Sequence, residues 1–146
     1  MIHLASLEAG ARMSSKCLSR AIGSPEPFLT KVMQSLVASH LAVSRRGKAG
    51  GFELAKDPAT ITMLDVVEAV EGPLILADCT QSDPANVDLC PRLSRCGAHS
   101  VWVEAQAGLR RTLSEAHLDE LAENTRFHQR PISIMDLSRQ EKNQHA

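Results

Sequence analysis

The stretch of sequence that decides the fold is SPEPFLTKVMQSLVASHLAVSRRGKAGGFEL, residues 24–54. Its first two residues predict a helix start, with Ser24 as N-cap and Pro25 at the first helical position. Apolar residues then recur every three or four positions up to Ser39, which is typical of an amphipathic helix. These residues are Phe28, Leu29, Val32, Met33, Leu36 and Val37. One face of this helix is therefore predicted to lie in the core.

The second half of the stretch predicts a β-hairpin. A strand over Leu41–Ser44 and a return strand over Phe52–Leu54 flank a tip at Arg45–Gly51. Three glycines in the tip allow the backbone angles of a tight turn. The tip also carries three cations, so the hairpin is strongly basic at its end.

A shorter helix is predicted immediately upstream of the stretch. Ser14 or Ser15 can cap it, and it runs to Ile22, where Gly23 ends it. Two short helices joined by a glycine turn form a helix-turn-helix. A basic hairpin directly after this motif is typical of a wing that lies along DNA, although it could also be a solvated basic turn.

Further helices are predicted downstream. Thr62 caps a helix over Met63–Glu71, with Asp65 in the capping role. A long helix from about Ser100 to Ala116 and a shorter successor follow. Their apolar stripes are Val101, Trp102, Ala105, Leu109 and Leu113, then Leu118, Leu121 and Ala122. Since so long a helix has little of its own chain left to pack on, a partner subunit is the natural candidate.

The predicted fold is mainly α with a small β-hairpin wing. A winged helix-turn-helix domain covers residues 1–72 and begins with the tail of a helix over Met1–Ala9. A cysteine-rich loop covers 73–99, a dimerisation helix region 100–125, and a flexible tail 126–146.

Charge is distributed unevenly along the chain. The net charge of the 146 residues is −1. Residues 1–56 nevertheless hold eight Lys or Arg against three Asp or Glu, whereas residues 57–146 hold eight against fourteen. A basic N-terminal half indicates a module that binds a polyanion such as DNA. On the predicted second helix, Thr30, Lys31, Gln34 and Ser35 share the face opposite the apolar stripe, which fits base and phosphate contacts or a merely solvated face.

Residues 79–99 hold three of the four cysteines and one histidine. These residues are Cys79, Cys90, Cys96 and His99. Pro84 and Pro91 argue against a continuous helix. Soft ligands on a loop favour a metal or an iron–sulfur cluster, and a reducible disulfide or plain buried thiols are the alternatives. The spacing is neither that of a zinc finger nor that of a bacterial ferredoxin, so it leaves the metal open. The remaining cysteine, Cys17, is predicted to be a small core residue.

Several classes of function are disfavoured. No apolar run approaches the eighteen or so residues of a membrane span, and we expect the protein in the cytoplasm, where cysteines serve metals or redox chemistry. Neither a nucleophile–base pair, nor paired carboxylates, nor a phosphate-binding loop stands out, which argues against an enzyme.

Four pieces of the sequence together resemble the IscR/NsrR-type winged-helix transcription regulators, the Rrf-two family. They are Glu26–Leu29, Arg45–Phe52, Ile61–Gly72, and the three-cysteine loop followed by Val101 and Trp102. The resemblance runs from Met1 to about Asn124. It implies a homodimer, most simply a repressor, with each recognition helix and wing on one half of a palindromic site in double-stranded DNA.

The resemblance also implies site residues. Thr30 stands where IscR-like members have a base-contacting side chain, and Arg46 stands at a DNA-contacting position of the wing. The full predicted DNA-contacting set is Ser24, Glu26, Phe28, Thr30, Lys31, Gln34, Arg45, Arg46, Gly47, Lys48 and Gly50. Cys79, Cys90 and Cys96 are implied to bind an iron–sulfur cluster, which would sense redox state, iron–sulfur status or nitric oxide. His99 lies three residues after the last cysteine, as the fourth ligand does in IscR-like members, and this favours a 2Fe–2S over a 4Fe–4S cluster.

The chain departs from the family pattern in two places. Met1 falls within the family's first helix, as a misplaced start codon would produce, and the aspartate that ligates a 4Fe–4S cluster in NsrR-like members has no counterpart. The gap between Cys79 and Cys90 is ten residues instead of five. Two alternatives to a cluster stay open. One is a regulator that senses redox state through its thiols, and the other is an interaction module stabilised by zinc.

Overall fold

The computed structural model describes residues 1–8, 10–47, 50–81, 90 and 93–128. Within these residues the helices are α1 (Ile2–Ala5), α2 (Ser15–Ile22), α3 (Glu26–Ala38), α4 (Met63–Glu71), α5 (His99–Glu115) and α6 (Leu118–His128). Two antiparallel strands, β1 (Ala42–Arg45) and β2 (Gly51–Leu54), form the hairpin. Short 3-10 turns lie at Pro58–Thr60, Asp78–Thr80 and Leu93–Arg95. The mainly α fold with a β-hairpin is confirmed. None of the described helices is both long and apolar enough to cross a membrane.

The helix-turn-helix forms from local signals. The Ser14 side chain accepts a hydrogen bond from the Cys17 backbone N–H at 3.2 Å, which caps α2. Gly23 ends α2 in a left-handed conformation, with φ of 71°. The predicted N-cap of α3 is wrong. Pro25 has an extended backbone and is itself the cap residue, while the Ser24 carbonyl accepts a bond from the Ser19 hydroxyl at 2.6 Å.

The core is aliphatic and gathers residues from most of the helices. Its buried members are Leu4, Leu18, Leu29, Met33, Leu36, Leu41, Ala42, Ile61 and Leu118. Two expectations about the core are wrong. Phe28 is 63% exposed, because it lies on the outer side of the first turn of α3. Cys17 is exposed, because its neighbour Leu18 takes the inward position on α2 and is only 1% exposed.

The wing is attached to the start of α2 by a third extended segment. Ala42 pairs with Leu54 at the base of the hairpin, and the ladder continues to the tip. The Met13 N–H donates to the Phe52 carbonyl at 3.0 Å, and the Phe52 N–H donates back at 2.9 Å. Gly51 lies beside this bridge with φ of 152°, and a Cβ there would lie 2.7 Å from the Met13 carbonyl oxygen. The close approach of the two backbones therefore requires glycine.

The C-terminal helices return to the winged domain. Helix α4 begins with the predicted capping box between Thr62 and Asp65. Its first N–H, from Met63, donates to the Ala116 carbonyl at 2.8 Å. The Leu118 N–H donates to the Ile61 carbonyl at 3.0 Å, and both of these side chains are 0% exposed. The start of α6 is thus part of the same core as α2 and α3.

We expect Gly51→Ala to lower the free energy of unfolding by about 1–3 kcal/mol, because the new methyl group must displace the Met13 backbone. Urea denaturation measures this change. Gly97→Ala is the matched control, since a Cβ at Gly97 meets no atom within 4 Å, and it should change stability by less than about 0.5 kcal/mol. Equal stability of the two variants would contradict the close approach.

Candidate nucleic-acid interface and cysteine segment

The outer face of α3 carries side chains suited to DNA. Lys31 and Gln34 are exposed, and the Phe28 ring projects from the first turn. Thr30 is half-buried, and its hydroxyl donates to the Glu26 carbonyl at 2.9 Å. A cation, an amide and an apolar ring can contact phosphates, base edges and thymine methyl groups respectively.

The two predicted contacts at the start of α3 already have intramolecular partners. The Glu26 carboxylate accepts a hydrogen bond from the Ser15 hydroxyl at 2.7 Å, and this bond joins the first turns of α2 and α3. Ser24 is half-buried in the turn between these helices. Both residues therefore help to orient α3, and their contacts with DNA remain predictions.

A carboxylate in β2 organises the cations of the wing. Glu53 accepts hydrogen bonds from Arg12 Nε at 2.8 Å and from Arg45 Nε at 3.0 Å. The hydrogen bond from Arg12, followed by that from Arg45, lowers the pKa of the Glu53 carboxyl below its usual value. The negative charge of Glu53 thus partly balances the positive charge of Arg45.

The wing tip also carries Arg46, a cation that differs from Arg45 in its pairing. Arg46 is exposed and has no ion pair within the described part of the chain. Gly47 next to it has φ of 111°, in the left-handed region. A Cβ at Gly50 would overlap the Arg45 carbonyl oxygen, so the tip closes only with glycine there. Lys48 lies outside the described residues.

Three of the predicted metal ligands lie between α4 and α5, in residues 72–98, here called the cysteine segment, and the fourth is the first residue of α5. Cys79 is in the 3-10 turn Asp78–Thr80, and both it and Cys90 are half-buried, whereas Cys96 is exposed. His99 begins α5, and its Nδ1 atom is buried with no hydrogen-bond partner among the described residues. Its backbone N–H donates to the Cys96 carbonyl at 3.2 Å.

The described residues do not bring this ligand set together. No group of three His, Cys, Asp or Glu side chains among them is placed to hold a metal ion. Residues 82–89 and 91–92, which connect the cysteines, lie outside the described part. All four cysteines are free thiols. In its chemistry, three thiols and one imidazole, the set still fits an iron–sulfur cluster.

The cluster of Arg12, Glu53 and Arg45 was not predicted from the sequence. Glu53 pairs with Val43 in the hairpin, so Arg45 is its diagonal neighbour on the same face, and the register alone could have predicted this contact. Arg12 is 41 residues away from Glu53 along the chain and gave no such signal.

A helix-turn-helix followed by a basic wing defines a winged-helix DNA-binding protein. A family model supports this class, because it matches residues 1–124 and is described as Rrf2, iron-dependent transcriptional regulator. Among curated relatives, Rv1287 of Mycobacterium tuberculosis, named as an HTH-type transcriptional regulator, is 30% identical over 128 residues. The match covers 84% of this chain and 73% of that one. The chain belongs to the Rrf2 family of transcription regulators and is not an enzyme.

Solved structures have the same fold. The structure of IscR from T. potens matches with a TM-score of 0.69 at 22% identity, over 92% of this chain and 85% of that one. The structure of CymR, the global cysteine regulator of B. subtilis, matches with a TM-score of 0.65 at 23% identity, over 84% of this chain and 87% of that one.

We expect an NMR titration to find the pKa of Glu53 below that of an ordinary glutamate. Because the folded pKa is lowered, the pairing with Arg12 and Arg45 is complete above the unfolded-state pKa and is lost as the pH falls through the folded value. Arg12→Ala should raise the pKa of Glu53, whereas Lys16→Ala, at an exposed cation on α2, should leave it unchanged. A Glu53 that titrates normally in the unmodified protein would contradict the contact.

Proposed function

We propose that the chain is a cytoplasmic, dimeric repressor whose affinity for DNA is controlled by an iron–sulfur cluster. The ligands would be Cys79, Cys90, Cys96 and His99. The observation that carries the proposal is this donor set, next to a winged helix, in a family described as iron-dependent. The cluster would supply a redox-active centre that is sensitive to oxidants and nitric oxide.

The state of His99 supports its part in the ligand set. A buried imidazole nitrogen without a partner is costly, by about 1–3 kcal/mol, and a bond to iron would remove that cost. Histidine ligands are known on 2Fe–2S clusters, and this favours that type over 4Fe–4S. Since the described residues do not gather the ligands, binding would require the segment between α4 and α5 to rearrange.

DNA would be bound by α3 and the wing. The proposed contacts are the eleven predicted residues from Ser24 to Gly50, with Lys31, Gln34 and Arg46 best placed by their exposure. Because a dimer presents two copies of α3 and the wing, its operator would be a palindrome with half-sites about one or more helical turns apart.

Helix α5 supplies the surface for the dimer. Several large apolar side chains on it are exposed within this chain, which are Val101 (64%), Trp102 (45%), Val103 (44%) and Leu109 (37%). Burying these side chains against the same helix of a second copy would remove their apolar area from water. The cluster would lie beside α5, so loss or oxidation of the cluster could change the distance between the two copies of α3 and the wing in the dimer.

A regulator without a cluster is the second candidate. It is favoured by the four free thiols, of which Cys17 and Cys96 are exposed. Such a protein would switch by forming a disulfide or a sulfenate. It would be colourless after anaerobic reconstitution, as would a zinc-stabilised module, which would instead retain about one zinc ion per chain.

We expect Cys90→Ala and Cys96→Ala each to abolish cluster binding, because each removes one thiolate ligand. The measurement is visible absorption, with iron and sulfide analysis, on protein purified and reconstituted without oxygen. Unmodified protein should hold about two irons per chain. Cys17→Ser is the matched control and should keep the full content. A full cluster in both alanine variants would refute the ligand assignment.

We expect Arg46→Ala to reduce the slope of log K against log salt concentration for DNA binding by about 0.9, the value for one phosphate contact. Fluorescence anisotropy of a labelled duplex at several salt concentrations measures it. Lys56→Ala, beyond the base of the hairpin, is the matched control and should keep the slope. An unchanged slope in Arg46→Ala would show that the wing tip does not touch the DNA backbone.

A further inference from the structure

We propose that Gln106 and Arg110 of α5, here called the α5 latch, couple a change in the bonding of Cys79 to the position of α5. In the dimer, the position of α5 would set the distance between the two copies of α3 and the wing that bind DNA. The inference rests on the proposed function, because it assumes that the state of the cysteine segment and DNA binding influence each other. It assigns a positioning role to two residues that lie outside both the predicted DNA contacts and the predicted ligands.

Gln106 holds the cysteine segment to α5 with both ends of its amide. Its Oε1 atom accepts the Leu76 backbone N–H at 2.9 Å, and its Nε2 atom donates to the Thr80 carbonyl at 3.1 Å. The Thr80 hydroxyl lies between Gln106 Oε1 and the Ala77 carbonyl and can donate its single proton to only one of them at a time. Thr80, at 8% exposure, is the only buried polar residue in the described part of the chain.

Arg110 makes the second contact, one helical turn further along the same face of α5. Its guanidinium pairs with Glu68 of α4. The same Glu68 oxygen accepts the Leu74 backbone N–H at 3.0 Å. This N–H, followed by Arg110, lowers the pKa of the Glu68 carboxyl below its usual value. The α5 latch therefore joins α4, the cysteine segment and α5.

Cys79 is covalently next to the residue that Gln106 holds. The 3-10 turn around it is closed by the Thr80 N–H, which donates to the Ala77 carbonyl at 2.9 Å. A change in the bonding of the Cys79 sulfur that alters this turn must also move the Thr80 carbonyl. Gln106 accepts and donates within the same turn, so it would be displaced with it.

The other end of α5 is fixed to the winged domain. Ala116, just after the helix, accepts the Met63 N–H, and Leu118 is anchored on Ile61 in the core. The exposed apolar residues Val101–Val103 lie at the free end of α5, on the far side of the latch from this anchor. Release of the latch would therefore let the part of α5 that forms the proposed dimer surface move relative to the recognition helix.

The test uses the reciprocity of coupling in the cluster-free, full-length protein. If Cys79 influences DNA binding, DNA must influence Cys79. The probe is a duplex selected from a random-sequence pool by the unmodified protein. Maleimide labelling of each cysteine, followed by peptide mass spectrometry, gives the rate with and without this duplex. We expect the duplex to change the Cys79 rate at least about threefold in the unmodified protein.

In Gln106→Ala we expect this ratio to fall to about one, with DNA binding itself still measurable by anisotropy. Gln106→Glu keeps an acceptor for the Leu76 N–H but cannot donate to Thr80, and it should show an intermediate ratio even if the alanine variant folds poorly. Glu104→Ala, on an exposed part of the same helix, is the matched control and should keep the unmodified ratio.

A purely structural contact gives a different result. Gln106→Ala would then lower the melting temperature but keep the DNA-dependent change at Cys79, and this outcome would overturn the proposal. An unmodified protein whose Cys79 rate ignores the duplex would overturn it too. Because the protein carries no cluster in this test, cluster binding can fail or succeed independently of the latch. A chain that selects no duplex, whether its cluster is bound or absent, would refute the proposed function itself, and the latch with it.

Discussion

The contact between Ile61 and Leu118 is the constraint on which the rest of the structure depends. Both side chains are fully buried, and the Leu118 N–H donates to the Ile61 carbonyl at 3.0 Å. Ile61 precedes α4 and Leu118 begins α6, so one contact closes a loop of 56 residues, 62–117, that contains α4, the cysteine segment and α5. Burial of two aliphatic side chains of this size contributes about 3–6 kcal/mol, which is enough to hold the C-terminal helices on the winged domain.

The contact between Ile61 and Leu118 determines how the cysteine segment is connected to the rest of the molecule. The segment leaves α4 at Gly72 and joins α5 at His99. Helix α4 packs on the core, whereas α5 is tied to it just after its C-terminal end, through Ala116 and Leu118. A structural change in the cysteine segment can therefore stay within the segment or move the N-terminal end of α5, because the winged domain is already packed. The side chains of Gln106 and Arg110 determine whether α5 moves with the segment, since they connect the segment to α5 and α5 to α4.

Local signals in the sequence predicted most of the winged fold. Gly23 ends α2, Thr62 and Asp65 cap α4, and the apolar spacing of Leu29, Met33 and Leu36 sets the inner face of α3. Each of these effects acts within about one helical turn or one hairpin, so the responsible residues are close together in the chain.

Several of the features that the sequence did not predict depend on distant partners. Gln106 and Thr80 are 26 residues apart, and their hydrogen bonds follow from how α5 lies on the segment. Cys17 and Phe28 were assigned to the core from their apolar character, but each was displaced by a neighbour, Leu18 or Leu29, that points inward. The clustering of cysteines predicted a ligand set by composition, which says nothing about the distances between the sulfur atoms.

The measurement that tests the central claim most directly compares DNA binding by the unmodified protein with and without its cluster. Both forms would be prepared without oxygen and titrated into the same selected duplex at one salt concentration. We predict that the dissociation constants differ by at least about tenfold, which corresponds to about 1.4 kcal/mol of coupling between the cluster and DNA. Equal constants for a protein shown to be fully loaded and fully empty would contradict control of DNA binding by the cluster.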